Sequence, residues 1–165
     1  MELKTGALTL TPSEAGFATA LTFDDVLLVP QHTTAKLVDV CNGSQNNGTC
    51  VQQYTTITGG SGQKFALKAS GSNWAIAMGT NVNKCIGPSG NGTANGTNIQ
   101  VQDCNNGNAQ AWTAGVMSTG VYKFTNVASG RCLAVSGNNT AAGAFMILYD
   151  CNGGGAQSFA TPIFQ

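Results

Sequence analysis

Apolar residues along this chain come in short runs, and none follows the three-to-four-residue period of an amphipathic helix. Ile99-Gln100-Val101-Gln102 alternates apolar with polar, the signature of a half-buried strand that holds its glutamines outward. WAIAMGTNVN, from Trp74, and VYKFTNVASG, from Val121, are strand-like too, and Gly, Asn, Ser and Thr punctuate the chain between such runs. The pattern predicts an all-β chain of short strands joined by tight turns.

The runs recur. Lys84-Cys85-Ile86 and Arg131-Cys132-Leu133 lie 47 positions apart. Each cysteine is followed nineteen positions later by another, Cys104 and Cys151, and then by a Gln-x-aromatic, Gln110-Ala111-Trp112 and Gln157-Ser158-Phe159. An earlier copy opens with LLVPQHTTAKLVDV at 27–40, which aligns without a gap on YKFTNVASGRCLAV at 122–135, while its Gln63-Lys64-Phe65 arrives one residue late. Three copies of about 47 residues, 24–70, 71–118 and 119–165, account for 24–165 and leave 1–23 as an N-terminal extension, either linker or added strand. Four strands in each copy predict a threefold closed arrangement, because closure removes the sheet edges that separate hairpins would expose.

Threefold repetition at this length, the Lys/Arg-Cys-apolar openings, the C-x18-C pairs and the terminal Gln-x-aromatic together resemble the ricin B-type β-trefoil lectins and related carbohydrate-binding modules. The resemblance implies a β-trefoil with up to three shallow sugar pockets, one per repeat. It also implies the bridges Cys85–Cys104 and Cys132–Cys151. The first copy carries Leu37 and Thr56 at those two positions and instead has Cys41 and Cys50 around an NGSQNNGT turn. A bridge across that turn is the simplest prediction, since both cysteines lie on adjoining arms of one hairpin; two free thiols are the alternative.

In this family the sugar-binding acid sits two residues after the first cysteine. The aromatic sits two before the second, a Gln two before that, and an Asn usually precedes the Q-x-W glutamine. The carboxylate accepts bonds from adjacent hydroxyls and the aromatic packs on the apolar face of the pyranose. Carried onto this sequence, the pattern selects Asp39, Gln52 and Tyr54 in the first copy. The second has Gly87 and Gln102 in place of acid and aromatic, so its pocket is read as lost. The third keeps Tyr149 as a weaker candidate but has Ala134 and Ile147 for acid and Gln. Gly62, Ala109 and Ala156 stand where the family's Asn would be. Trp112, Phe65, Phe159 and Trp74 are assigned to the core, and Asp103 and Asp150 to turns.

Charge narrows the function classes. Charged residues are 8% of the chain, against about 25% in an average domain, and seven basic residues balance seven acidic ones. A neutral chain lacks the basic footprint for nucleic acid or an anionic membrane surface, and no run is long enough to insert into a bilayer. Six ordered cysteines read as three disulfides and an extracellular, oxidising compartment; zinc would call for shorter gaps and histidine partners, and His32 is the sole histidine. The absence of a clear signal sequence is read as a chain that begins after its targeting segment. Asn42, Asn47, Asn91, Asn95 and Asn138 fit N-x-S/T but are read as turn residues, Asn-Gly being a favoured hairpin turn. ALTFDDVLLVPQ at 20–31 is similar to a short N-terminal stretch of bacterial IMP dehydrogenases, but nothing else of that family follows, and the run doubles as the first trefoil strand.

The expectation is therefore a secreted, non-enzymatic, metal-free and cofactor-free β-trefoil that binds a glycan or polysaccharide through the first repeat, as a free lectin, a homo-oligomer or a module fused to a catalytic domain. The rival is an extracellular structural or self-assembling trefoil whose sugar sites have decayed, with 1–23 mediating contacts.

Overall fold

Strands with one apolar face need a closed partner surface, and here eight strand segments supply it in a ring. The computed structural model describes residues 3–4 and 22–164, with side chains over 26–162. Phe65–Ser70 pairs antiparallel with Asn73–Met78, which pairs with Ala111–Ser118, and that strand pairs with Val121–Asn126. Val121–Asn126 meets Phe159–Ala160, which meets Val29–Pro30, and Ile163–Phe164 meets Thr22–Val26, which returns to Phe65–Ser70. The barrel is closed, so the described ring leaves no free edge. No α-helix occurs among the described residues, and no helix there is long and apolar enough to cross a membrane.

Three hairpins cap one end: Lys36–Val40 with Val51–Thr55, Asn81–Pro88 with Ile99–Asp103, and Cys132–Val135 with Met146–Tyr149. They are linked head to tail around a pseudo-threefold axis. Gly48 N–H donates to Val101 O, Gly96 N–H to Leu148 O and Gly143 N–H to Gln53 O, each at 2.8 Å. The three glycines hold φ of 89°, 87° and 89°, a left-handed conformation that a side chain would strain. The Gln-x-aromatic motif recurs in space as well. Gln63, Gln110 and Gln157 are buried, and each accepts a backbone N–H at 2.9 Å (from Ile57, Asn105 and Asn152) while donating to Thr55 O, Asp103 O and Asp150 O. The aromatic two residues on, Phe65, Trp112 or Phe159, drops into the core with Trp74 and Phe124.

All three disulfides form between the expected partners, with Cα separations of 5.4 Å for Cys41–Cys50, 5.0 Å for Cys85–Cys104 and 5.1 Å for Cys132–Cys151. Two polar clasps sew neighbouring repeats together. Asn47 and Lys84 meet at Asp103, with Lys84 Nζ 2.6 Å from Oδ1, and Lys84 beside Asp103 holds its carboxyl below the usual carboxylate range. Asn95 and Arg131 meet at Asp150 in the same way. Asn42, Asn91 and Asn138 take positive φ in the turns after the hairpins' first strands, so every sequon asparagine has a turn or clasp role.

One alignment is corrected. Trp112 pairs with Asn126 where Phe159 pairs with Pro30. Pro30 therefore matches Asn126, and buried Val26 and Leu28 match buried Tyr122 and Phe124, a shift of one position from the gapless reading of 27–40. The third copy's turn is a residue shorter, with Gly130 at φ 70° where the first copy has Ala35 at φ 55°. Strand alternation enforces this, because a one-residue slip would turn the apolar face outward. Ala35 is exposed and carries the strain that Gly130 avoids. Ala35→Gly should raise the unfolding free energy by about 0.5 kcal/mol, measured as a higher urea midpoint at constant m-value.

Of the extension, Leu3–Lys4 pairs antiparallel with Ile163–Phe164, and 5–21 lies outside the described residues.

Candidate functional site

The first cap hairpin places its residues by register. Leu37 faces Tyr54 and Asp39 faces Gln52 across the two strands, so these four side chains share one face. Val38, Val40, Val51 and Gln53 point the other way and are fully buried. Tyr54 is 39% exposed, yet Asp39 on the same outward face is only 5% exposed. The difference comes from two turns, Cys41–Gly43 and Ser61–Gln63, which fold over the Asp39 end of the hairpin and touch each other there. The Cys41–Cys50 bridge closes the base of the first turn.

These pieces enclose an open cavity of about 500 Å³, with Asp39 and Gln52 at its polar centre, Tyr54 and Ile57 on its apolar side, and Asn42, Ser61 and the backbone of Gly60 and Gly62 around the rest. Gln52 Nε2 donates to Asp39 Oδ2 at 2.9 Å, which fixes the carboxylate. Burial pushes the Asp39 carboxyl above its ordinary range, and hydrogen bonds from Gln52 and Gln63 counter part of that rise. The site thus holds a desolvated, preorganised acceptor beside an exposed aromatic ring. A saturated ring resting its apolar C–H face on Tyr54 could present hydroxyls to Asp39 and Gln52 together.

Gly62 stands where the family pattern has Asn, and here only glycine fits. A Cβ at Gly62 would lie 2.5 Å from Val40 O and 3.1 Å from Asp39 Oδ1. The copies with Ala109 and Ala156 at this place have Gly87 and Ala134 instead of the acid, so the small residue at 62 accompanies the carboxylate. Sequence reasoning missed this coupling; the signal available was that glycine occurs only in the copy with the acid.

The first copy's loop after Tyr54 differs from its counterparts. Asn105 and Asn152 each cap their own loop by accepting the N–H of Gly107 and Gly154 at 2.8 Å, five residues before the bracing Gln. Ile57 replaces that Asn, lies six residues before Gln63 and is 48% exposed. The late arrival of Gln63 is thus one extra residue in the cavity wall.

The other two copies look different at the same register. Gln102 in the second copy donates to Pro88 O at 3.1 Å and accepts from Gln110 Nε2 at 3.3 Å, so its side chain is tied down across the space that Tyr54 leaves open. The third copy has a hollow of about 240 Å³ beneath Tyr149, which is 47% exposed, but Ala134 and Ile147 give it an apolar centre. His32, which the sequence leaves without a role, bonds Asn139 O through Nε2 at 2.8 Å, between the first and third copies.

Comparison with known proteins bears on this arrangement. The family model described as "Ricin-type beta-trefoil lectin domain-like" matches residues 19–102, 61–149 and 108–163. No curated protein matches the chain by sequence. Among solved structures, a designed threefold-symmetric protein, ThreeFoil, is 27% identical over 87% of this chain and 99% of its own, with a TM-score of 0.77. An exo-β-1,3-galactanase from Clostridium thermocellum is 21% identical at TM-score 0.77; the match covers 87% of this chain but 30% of that enzyme. The C-terminal half of an earthworm R-type lectin, solved in complex with GalNAc, is 15% identical at TM-score 0.67, covering 85% of this chain and 99% of that one.

Proposed function

Since the chain belongs to the ricin-type β-trefoil lectin-like family, we propose that it binds carbohydrate through the first-repeat cavity, with Asp39 and Gln52 taking the sugar hydroxyls and Tyr54 the pyranose face. The observation that carries this is the desolvated Asp39 carboxylate held by Gln52 beside an exposed tyrosine in an open cavity, a combination the other two repeats lack. Among the described residues Asp39 is the sole carboxylate lining that cavity, which suits recognition of hydroxyls; glycoside hydrolysis uses a carboxylate pair. The GalNAc in the earthworm lectin makes galactose and GalNAc the first ligands to try.

Covering about 100 Å² of apolar surface yields about 2.5 kcal/mol, and a few solvated hydrogen bonds add a similar amount before the costs of association. One such site corresponds to millimolar affinity, near −4 kcal/mol as an order of magnitude. Useful avidity would then come from a homo-oligomer or from fusion to a catalytic domain acting on the same glycan. Three disulfides suit an oxidising, extracellular setting.

A glycan array followed by calorimetry tests this reading. Tyr54→Ala should weaken binding about tenfold, while Tyr149→Ala should leave it unchanged. Absence of glycan binding by the wild type at millimolar concentration, with sedimentation as a defined oligomer, would favour a structural trefoil instead.

A further inference from the structure

A second hollow lies against the wall of the sugar cavity. It measures about 300 Å³, is bordered by Leu27, Leu37 and Thr56, and shares Ile57, Gly59 and Gly60 with the first. Its origin is specific to this repeat. Leu37 and Thr56 occupy the positions where the other repeats put Cys85–Cys104 and Cys132–Cys151. The backbone there is equivalent, since Thr56 N–H reaches Ala35 O as Cys104 N–H reaches Asn83 O. The disulfide that ties these two positions in the other repeats is missing, and the loop beside the hollow carries the extra residue. Both departures fall in the one copy that keeps Asp39, Gln52 and Tyr54.

We propose that this hollow is an aglycone subsite, which receives the apolar alkyl or aryl substituent of a glycoside whose sugar ring lies against Tyr54 and Asp39. The proposal rests on the sugar-site reading above. Half-exposed Ile57 borders both spaces, so one side chain touches ring and substituent together. An aliphatic cavity of about 150 Å³ accommodates a benzene ring, so a phenyl or hexyl group fits the larger space here. A further sugar would instead set hydroxyls against Leu27, Leu37 and Ile57, where they lose water without gaining partners; polar Thr56, Thr58, Gln63 and Lys64 stand at the border, and Gln63 is already engaged with Thr55 O and Ile57 N–H.

Calorimetric titration with methyl, hexyl and phenyl β-galactosides tests the subsite on the wild type and on Thr56→Phe, which fills the hollow from an exposed position. Hexyl and phenyl glycosides should bind the wild type about tenfold tighter than the methyl glycoside. In Thr56→Phe that advantage should fall to about twofold or less, with methyl-glycoside affinity unchanged. Equal affinity of all three glycosides for the wild type would overturn the subsite and leave the sugar site standing, as would an advantage that survives Thr56→Phe. Failure of the methyl glycoside to bind at all would overturn the sugar-site reading itself.

Discussion

Asp39→Asn should abolish sugar binding, a loss of about a hundredfold, and leave the stability at pH 7 within about 1 kcal/mol of wild type. Two charge-assisted hydrogen bonds from sugar hydroxyls account for the first effect at about 1.5 kcal/mol each. From a millimolar baseline that loss removes the calorimetric signal. The second effect follows from burial. The folded-state pKa of Asp39 is raised above its ordinary 3.8, so the folded protein holds this proton more tightly than the unfolded chain does. Its favourable contribution is present below the unfolded value and is lost as pH rises through the raised one, so at pH 7 the ionised carboxylate costs stability. The amide keeps the shape and one acceptor for Gln52 without that cost. Binding has the opposite pH dependence, because the neutral acid is a poorer acceptor: affinity falls on acidification, with a midpoint above 3.8. A structural role for Asp39 predicts the reverse pattern, a large drop in the denaturation midpoint of Asp39→Asn with ligand affinity retained.

Gly62→Ala should be the most damaging single-methyl change at the site, destabilising the protein by about 2–3 kcal/mol. The added carbon would meet Val40 O, Asp39 Oδ1 and the Gly43 Cα, two of them backbone atoms fixed by the hairpin and its turn. Relief requires the Ser61–Gln63 turn to lift, which exposes Asp39 and widens the cavity, so sugar affinity drops as well. Ala109→Gly, at the matching place in the second repeat, should cost about 1 kcal/mol or less, because no carboxylate crowds it. Urea denaturation of the two variants checks the contrast; a Gly62→Ala protein as stable as wild type would show that the turn yields freely.

Much of this fold was legible because repetition lets the chain annotate itself. The cysteine spacings and the Gln-x-aromatic motifs marked the repeats, and the family resemblance they carry implied Cys85–Cys104, Cys132–Cys151 and the core positions of Phe65, Trp112 and Phe159, while the hairpin turn suggested Cys41–Cys50; all of these appear in the structure. The alternation at Ile99-Gln100-Val101-Gln102 likewise indicated the outward face that Gln52 and Tyr54 share in the first hairpin. What stayed hidden depends on contacts between distant turns. Period-two reasoning puts Asp39 outward but cannot show that Cys41–Gly43 and Ser61–Gln63 close over it. The missing turn residue before Arg131 was invisible because the apolar runs on either side still matched by eye. Only the pairing of Phe159 with Pro30 fixes the phase. Leu37 and Thr56 read as a lost staple, and only their surroundings show the apolar hollow beside them.

Amide chemical shifts of the 15N-labelled protein titrated with GalNAc decide whether the first repeat holds the single working pocket. Saturable shifts at millimolar sugar, centred on Asp39, Gly43, Gln52, Tyr54 and Gly62, are the predicted result. Shifts centred on Tyr149 and its neighbours, or none under the same conditions for GalNAc and galactose alike, would contradict it.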